Sequence, residues 1–293
     1  MIVKKENFNK VKLIAKNHEW IKFFVNLFIF IGLALGTFFI PTHMFEQFLG
    51  IGLQKIIKII LALGAIQLLG VILSKCLNSS AGFIIHGFIS GFISSTALTV
   101  SLAKRSNNMT PNQKSVESLE FVSATLAMLG QGLFLSLITV SHLDLKTMSL
   151  FLFPTLVTIS LLISRTIHTK DIVSYKQHVS LNWFSIAKLS IFICIILIIS
   201  SHVKTWLGST GLQALTFIIS LFEIHGSIVA SSQLFSNKSI DSSMFHSLIA
   251  LSILASYVSK LAIIYIIGDS YFKRKVTLWV GLVLISLALA FWI

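Results

Sequence analysis

The sequence predicts an all-α fold: a polytopic transmembrane helical bundle with two four-segment repeats and an N-terminal helix. Three observations carry this. Of 293 residues, 55% are hydrophobic and only 11% charged, less than half the charged share of a soluble domain. Uncharged runs of bilayer-crossing length recur along the chain. Charged residues gather in the short stretches between them. A soluble enzyme, a disordered tail and a disulfide scaffold are excluded. The net charge of +13 comes without a basic stripe interleaved with aromatics, so no nucleic-acid partner is expected.

The Met1–Lys22 stretch carries Lys4, Lys5, Lys10, Lys12, Lys16 and Lys22, and Phe23–Phe45 then runs without a charge. That run exceeds a signal-peptide core and has no small-residue cleavage site. It reads as an uncleaved first span with a cytoplasmic N-terminus. Nine apolar segments follow from the hydropathy: Trp20–Ile40, Ile56–Leu73, Ala81–Ala103, Leu119–Val140, Met148–Ser164, Phe184–Ser200, Gly211–Leu234, Met244–Ile267 and Val276–Ile293. At about 20 residues per crossing they fill one integral membrane domain, 1–293. Within it, 1–54 form the cytoplasmic N-terminus and first span, 55–165 a first repeat and 184–293 a second. The longest connectors are Lys104–Ser118 and Arg165–Trp183.

The repeat rests on a shift of 129 positions, which sets Gly82 on Gly211, Val100 on Val229, Asn108 on Asn237 and Ser123 on Ser252. Segments two to five then overlay six to nine without a gap. Segments three and seven are the unusual pair. The third holds Gly82, Gly87 and Gly91 ahead of Ser94, Ser95 and Thr96; the seventh holds Glu223, His225, Gly226 and Ser227 at its centre. Corresponding segments interrupted by glycine and polar residues mark membrane-embedded sites in transporter folds. If all nine segments crossed, both basic connectors would lie outside, against the positive-inside rule. If segments three and seven are re-entrant, the chain crosses seven times. Both connectors and Lys273-Arg274-Lys275 then face the cytoplasm, and the repeats are inverted.

The polar residues inside these segments are the candidate site. Glu223 is an acid deep in an apolar run, where an ionised carboxylate is costly unless paired, hydrated or protonated. It is read as a cation ligand or proton carrier beside His225 and Ser227, or else as a structural carboxyl bonded to nearby backbone. Ser94, Ser95, Thr96 and Thr99 offer hydroxyls and freed carbonyls to an ion, or return hydrogen bonds to the preceding turn. Lys260 either neutralises Glu223 or snorkels to an interface, and Gln131 corresponds to it under the shift. Gly87 and Gly91 form a GxxxG packing face, with Gly226 a helix-break glycine. Lys58, Lys188 and Glu120 read as interfacial anchors, and His86 as a core residue. No phosphate loop or metal motif occurs. Cys76 and Cys194 lack a CxxC partner, so no disulfide, metal or cofactor is implied.

The stretch Ile93-Ser94-Ser95-Thr96-Ala97-Leu98-Thr99, closing with Ala103-Lys104-Arg105-Ser106, resembles the Gly-rich motif of a bacterial membrane domain. That domain has no settled activity and is often fused behind MgtC/SapB-type proteins. Leu221–Ser227 is similar to its second signature. Ala255-Ser256-Tyr257-Val258-Ser259-Lys260 is similar to its Ala-Asn-x-x-x-Lys pattern, with Ser256 in place of the Asn. The resemblance covers Trp20 to the C-terminus, lacks the MgtC-like part and implies fold and site more than function.

The expectation is a multi-pass protein of the bacterial inner membrane that is not an enzyme. It would be a secondary transporter or ion-conducting protein whose expected partners are lipid, a small ion or solute, and a second copy of itself in a homo-oligomer. The competing reading is a non-transporting protein that binds and regulates another membrane complex, through an exposed Gly87/Gly91 face.

Overall fold

The computed structural model describes residues 82–166 and 183–292, with isolated positions between Phe28 and Leu68. The first two apolar segments therefore lie almost wholly outside the described residues, as does most of the connector after Arg165.

Seven helices and no strand are present among the described residues: α1 (Phe83–Ser106), α2 (Pro111–Thr139), α3 (Leu145–Thr166), α4 (Trp183–Phe222), α5 (Ile224–Ser236), α6 (Ser242–Ile267) and α7 (Ser270–Trp292). Six stretches within them are long and apolar enough to cross a membrane. Their polarity is arranged for lipid. On α7 the exposed face carries Leu278, Leu282, Ile285 and Leu289, while Phe272, Val276, Trp279, Val283 and Leu287 turn inward. Exposed Leu152, Leu156, Ile159 and Ile163 do the same on α3. Small polar residues go inside instead, because a Ser or Thr hydroxyl can bond a carbonyl of its own helix. Thr99 donates to the Ser95 carbonyl at 2.7 Å, Ser220 to Thr216 at 2.7 Å and Ser252 to Leu248 at 2.8 Å. This is a polytopic membrane protein whose outer surface meets the bilayer.

Two differences from the expected segments have local causes. The connector expected over Lys104–Ser118 shrinks to 107–110. Thr110 opens α2 with a capping box closed by Gln113, and Pro111 follows at the first helical position, both strong start signals. The sixth and seventh segments are not separated by a loop but joined through Gly208, whose φ of 65° turns the chain, a conformation natural only to glycine.

Side-chain bonds between connections fix the helix directions. The α1–α2 turn meets the α6–α7 turn. Asn107 Nδ2 donates to the Ile267 carbonyl (2.8 Å), Asp269 N–H donates to Ser106 Oγ (3.0 Å), and Lys114 pairs with Asp269 (2.8 Å). At the opposite end, His246 pairs with Asp144 (2.7 Å), and Ser149 Oγ reaches the Ala290 carbonyl (3.3 Å). Helix α2 thus starts where α6 ends, and the two run in opposite directions. The first end carries Lys104, Arg105, Lys114, Arg165 and Lys273-Arg274-Lys275.

Candidate functional site

The site is built on two helix breaks. In α1, Ser94 is extended (φ −167°, ψ 102°) between two helical halves. Between α4 and α5, Glu223 is extended likewise (φ −148°, ψ 101°). The two stand 129 positions apart.

Both breaks are bends. A straight helix would hold His86 and Arg105 about 28 Å apart. Yet both reach the Glu120 side chain of α2, His86 Nδ1 at 2.6 Å from Oε1 and Arg105 Nη2 at 3.2 Å from Oε2. The halves of α1 therefore lie side by side, with Ser94 at the far tip. Around Glu223 the same holds. Ser227 Oγ comes back to 3.5 Å from the Thr216 carbonyl, a pair about 16 Å apart in an uninterrupted helix.

Each break residue caps the helix that follows it. Ser94 Oγ accepts from Ala97 N–H at 3.2 Å. Glu223 Oε1 accepts from His225 N–H at 3.0 Å and lies 2.9 Å from His225 Nδ1. The carboxylate also satisfies an N–H that the break leaves without a helical acceptor, and it faces the positive end of α5. One oxygen does this. The other, Oε2, makes no hydrogen bond among the described residues. Glu223 is surrounded by protein, yet 26% of its side-chain surface stays accessible.

His225 is buried, and its Nε2 has no hydrogen-bond partner among the described residues. Ser227 shares a hydrogen bond with Ser252 of α6 (2.9 Å). Of the two readings of Lys260, the snorkelling one fails. It is 1% exposed, so it does not snorkel. No ion pair joins it to Glu223, although the two charges act on each other. Its ammonium folds onto Ser256 Oγ (2.6 Å) and Met128 Sδ (3.2 Å). Gln131 is buried with Oε1 unbonded among the described residues.

In α1, Ser94 is exposed at the tip, Ser95 and Thr99 are buried and Thr96 is half-buried. Thr99 returns its hydrogen bond to the preceding turn. Gly87 and Gly91 face the α2 backbone, where a Cβ would collide with the carbonyls of Glu120 and Ala124. Gly226 is buried in the first turn of α5. Helix α1 lies along α2 and α6, and α5 along α4, α2 and α6. Among the described residues no three His, Cys, Asp or Glu side chains converge on a metal position.

Two sequence readings need correction. Glu120 is not an interfacial anchor and His86 is not a plain core residue. They meet in a buried network with Arg105 and Glu117, Arg105 Nε lying 3.0 Å from Glu117 Oε1. Glu117 lies just ahead of the apolar run that begins at Leu119, so hydropathy alone does not place it inside. The capping box at Thr110, which sets the helix start eight residues earlier, is the signal that brings both carboxylates inside.

The family described as Domain of unknown function (DUF4010) matches residues 61–268. The chain belongs to this family. The DUF4010 match takes in both breaks, the buried network and Lys260. Comparison with curated proteins and with solved structures gives no match.

Proposed function

We propose that this DUF4010 chain is a secondary transporter or ion-conducting protein of the bacterial inner membrane, carrying a small ion or solute. The observation that carries the reading is Glu223. It sits at a helix break within an apolar segment, with one oxygen capping a helix and 26% of its side-chain surface accessible. An intramembrane carboxylate kept accessible is expensive unless it is used.

The surrounding geometry supports the same reading. The breaks share one backbone shape at positions related by the 129 shift, and α2 and α6, related by that shift, run in opposite directions. That is the pattern of inverted repeats with discontinuous helices around a central site. Ser94, Ser95, Thr96 and Thr99 would serve the site from one repeat, and Glu223, His225 and Ser227 from the other. Gln131 and Lys260, related by the same shift, are both buried. The lysine-rich and arginine-rich end faces the cytoplasm by the positive-inside rule, which makes segments three and seven re-entrant from opposite sides. The reading includes no catalysed bond change. The resemblance to a domain fused behind MgtC/SapB-type proteins adds no substrate to it.

The competing regulator reading needs the Gly87/Gly91 face exposed for a partner. That face is taken up by α2, which favours transport. The test is flux through liposomes holding purified protein, with monovalent and divalent cations and pH gradients as drivers. Glu223→Gln should abolish flux in folded protein. Unchanged flux would sink the assigned role.

A further inference from the structure

We infer that the buried cluster His86–Glu120–Arg105–Glu117 is a proton-binding site that takes up one exchangeable proton, separate from Glu223.

The argument begins with charge. Glu117 and Glu120 stand one turn apart on α2, 2% and 3% exposed. Arg105 is the cation that reaches both, and a guanidinium does not give up its proton in a protein. With both carboxylates ionised and His86 neutral, these four side chains together carry a charge of −1 in a water-poor setting. Such a charge is resolved by binding a proton.

The geometry supplies places for it. His86 Nδ1 lies 2.6 Å from Glu120 Oε1, so one proton can sit between imidazole and carboxylate. Glu117 is poorly satisfied as an anion: its contact with Arg105 is misaligned, and both its buried oxygens lack a hydrogen-bond donor among the described residues. His86 keeps 17% of its side-chain surface accessible and is the entry point for a proton from the basic end of the bundle.

Among the described residues, the ion pairs made by Glu117 and Glu120 are those with Arg105 and His86. The α6–α7 turn brings Asp269, already paired with Lys114 of α2. Helix α7 brings Lys275, whose ammonium donates to Ser115 Oγ at 2.5 Å, with Lys273 and Arg274 beside it. Lys104 stands next to Arg105 on α1. Helix α6 brings Tyr257, Tyr265 and Lys260, the last folded onto Ser256 and Met128; His246 of α6 and Lys146 of α3 stand at the opposite end of the bundle, and α5 brings His225. Because His86 and Arg105 lie near the two ends of the α1 hairpin, the proton sits where the hairpin is fastened to α2.

The test is infrared titration of the purified full-length chain in lipid nanodiscs, across the range in which histidines and buried carboxyls exchange protons. Wild-type protein should show a protonated-carboxyl or imidazolium band that disappears on alkalinisation. Glu117→Gln and Glu120→Gln should each delete it, since either leaves Arg105 facing a single carboxylate. A wild-type spectrum without such a band overturns the proposal, as does a band that survives both substitutions. Should a glutamine variant lose its fold, His86→Gln at the accessible rim decides. A shifted titration midpoint supports the shared proton and an unmoved one overturns it. No transport enters the readout, so the result is independent of the function proposed for Glu223.

Discussion

The two hairpins perform one backbone task with different chemistry. Ser94 and Glu223 are both extended, and both offer a side-chain oxygen to the N–H groups of the helix that follows. A serine hydroxyl therefore suffices as a cap, and the charge at Glu223 exceeds what the local fold requires. The hairpins also differ in how they are held. Hairpin one is flush with α2 at Gly87 and Gly91 and tied at its ends through Glu120 and Glu117. At the positions related by 129, hairpin two carries Thr216 and Ser220, whose space is filled by their own side chains. It reaches α6 through the Ser227–Ser252 hydrogen bond. One hairpin is clamped and neutral at its tip; the other is held by hydroxyls and charged.

The largest effect comes from making the tips alike. Glu223→Ser gives hairpin two the cap of hairpin one and removes the charge. Folded yield and melting temperature should stay near wild type, because serine is itself among the favoured N-cap residues. Flux should vanish. Loss of folded protein instead would mean that the charge is structural, and the contrast between the tips would fail.

Next in size is the clamp. Gly91→Val forces a side chain against the Ala124 backbone, from which an added Cβ would stand only 2.5 Å. Overpacking of this kind costs about 1–3 kcal/mol or more, since backbone cannot swing aside. Ser220→Val at the corresponding place in hairpin two should cost much less, because the site already holds a side chain. Melting temperatures in detergent compare the two directly. Equal losses would show that the hairpins are held alike.

Much of this contrast was legible in the sequence. Ser94 and Glu223 stand out against apolar surroundings, and the glycines ahead of Ser94 announce close approach to something. Periodicity and hydropathy place the helices, since each must turn an apolar face to lipid. What stayed hidden depends on distance between residues far apart in sequence. Nothing local says that His86 and Arg105 share one carboxylate, which follows only from the bend at Ser94. The fate of Lys260 was equally unreadable. A long side chain can reach several places, and a hydroxyl one turn away together with Met128 decided it. The kink at Gly208 was missed because apolar composition continues through it, while a single positive φ does the turning.

Smaller again is the cap itself. Ser94→Ala removes the acceptor for Ala97 N–H and should cost about 1 kcal/mol, read as a modest fall in melting temperature. Ser94→Asp should restore the cap. It would also give hairpin one a charge like that of hairpin two, so a flux that changes only in the aspartate variant would separate charge from capping at this tip.

The smallest effect tests how the ends of the bundle are tied. At the basic end Asp269 pairs with Lys114, and that bond together with the Tyr271 N–H holds its carboxyl below the usual range. At the opposite end partial burial pushes the Asp144 carboxyl up, but the bonds offered by Thr147 and His246 outweigh it, and the net direction is again down. A carboxylate depressed in the folded state contributes stability that is fully present above its unfolded value of about 3.9. That contribution is lost as pH falls through the folded value, so both ties weaken only in acid. Asp144 is 46% exposed, which limits its share to under about 1 kcal/mol after screening. Asp144→Asn should therefore lower the melting temperature slightly at neutral pH and lose less than wild type on acidification below about pH 4. If the variant and wild type fall in parallel through that range, Asp144 is not what ties this end, and the acid sensitivity belongs to the basic end alone.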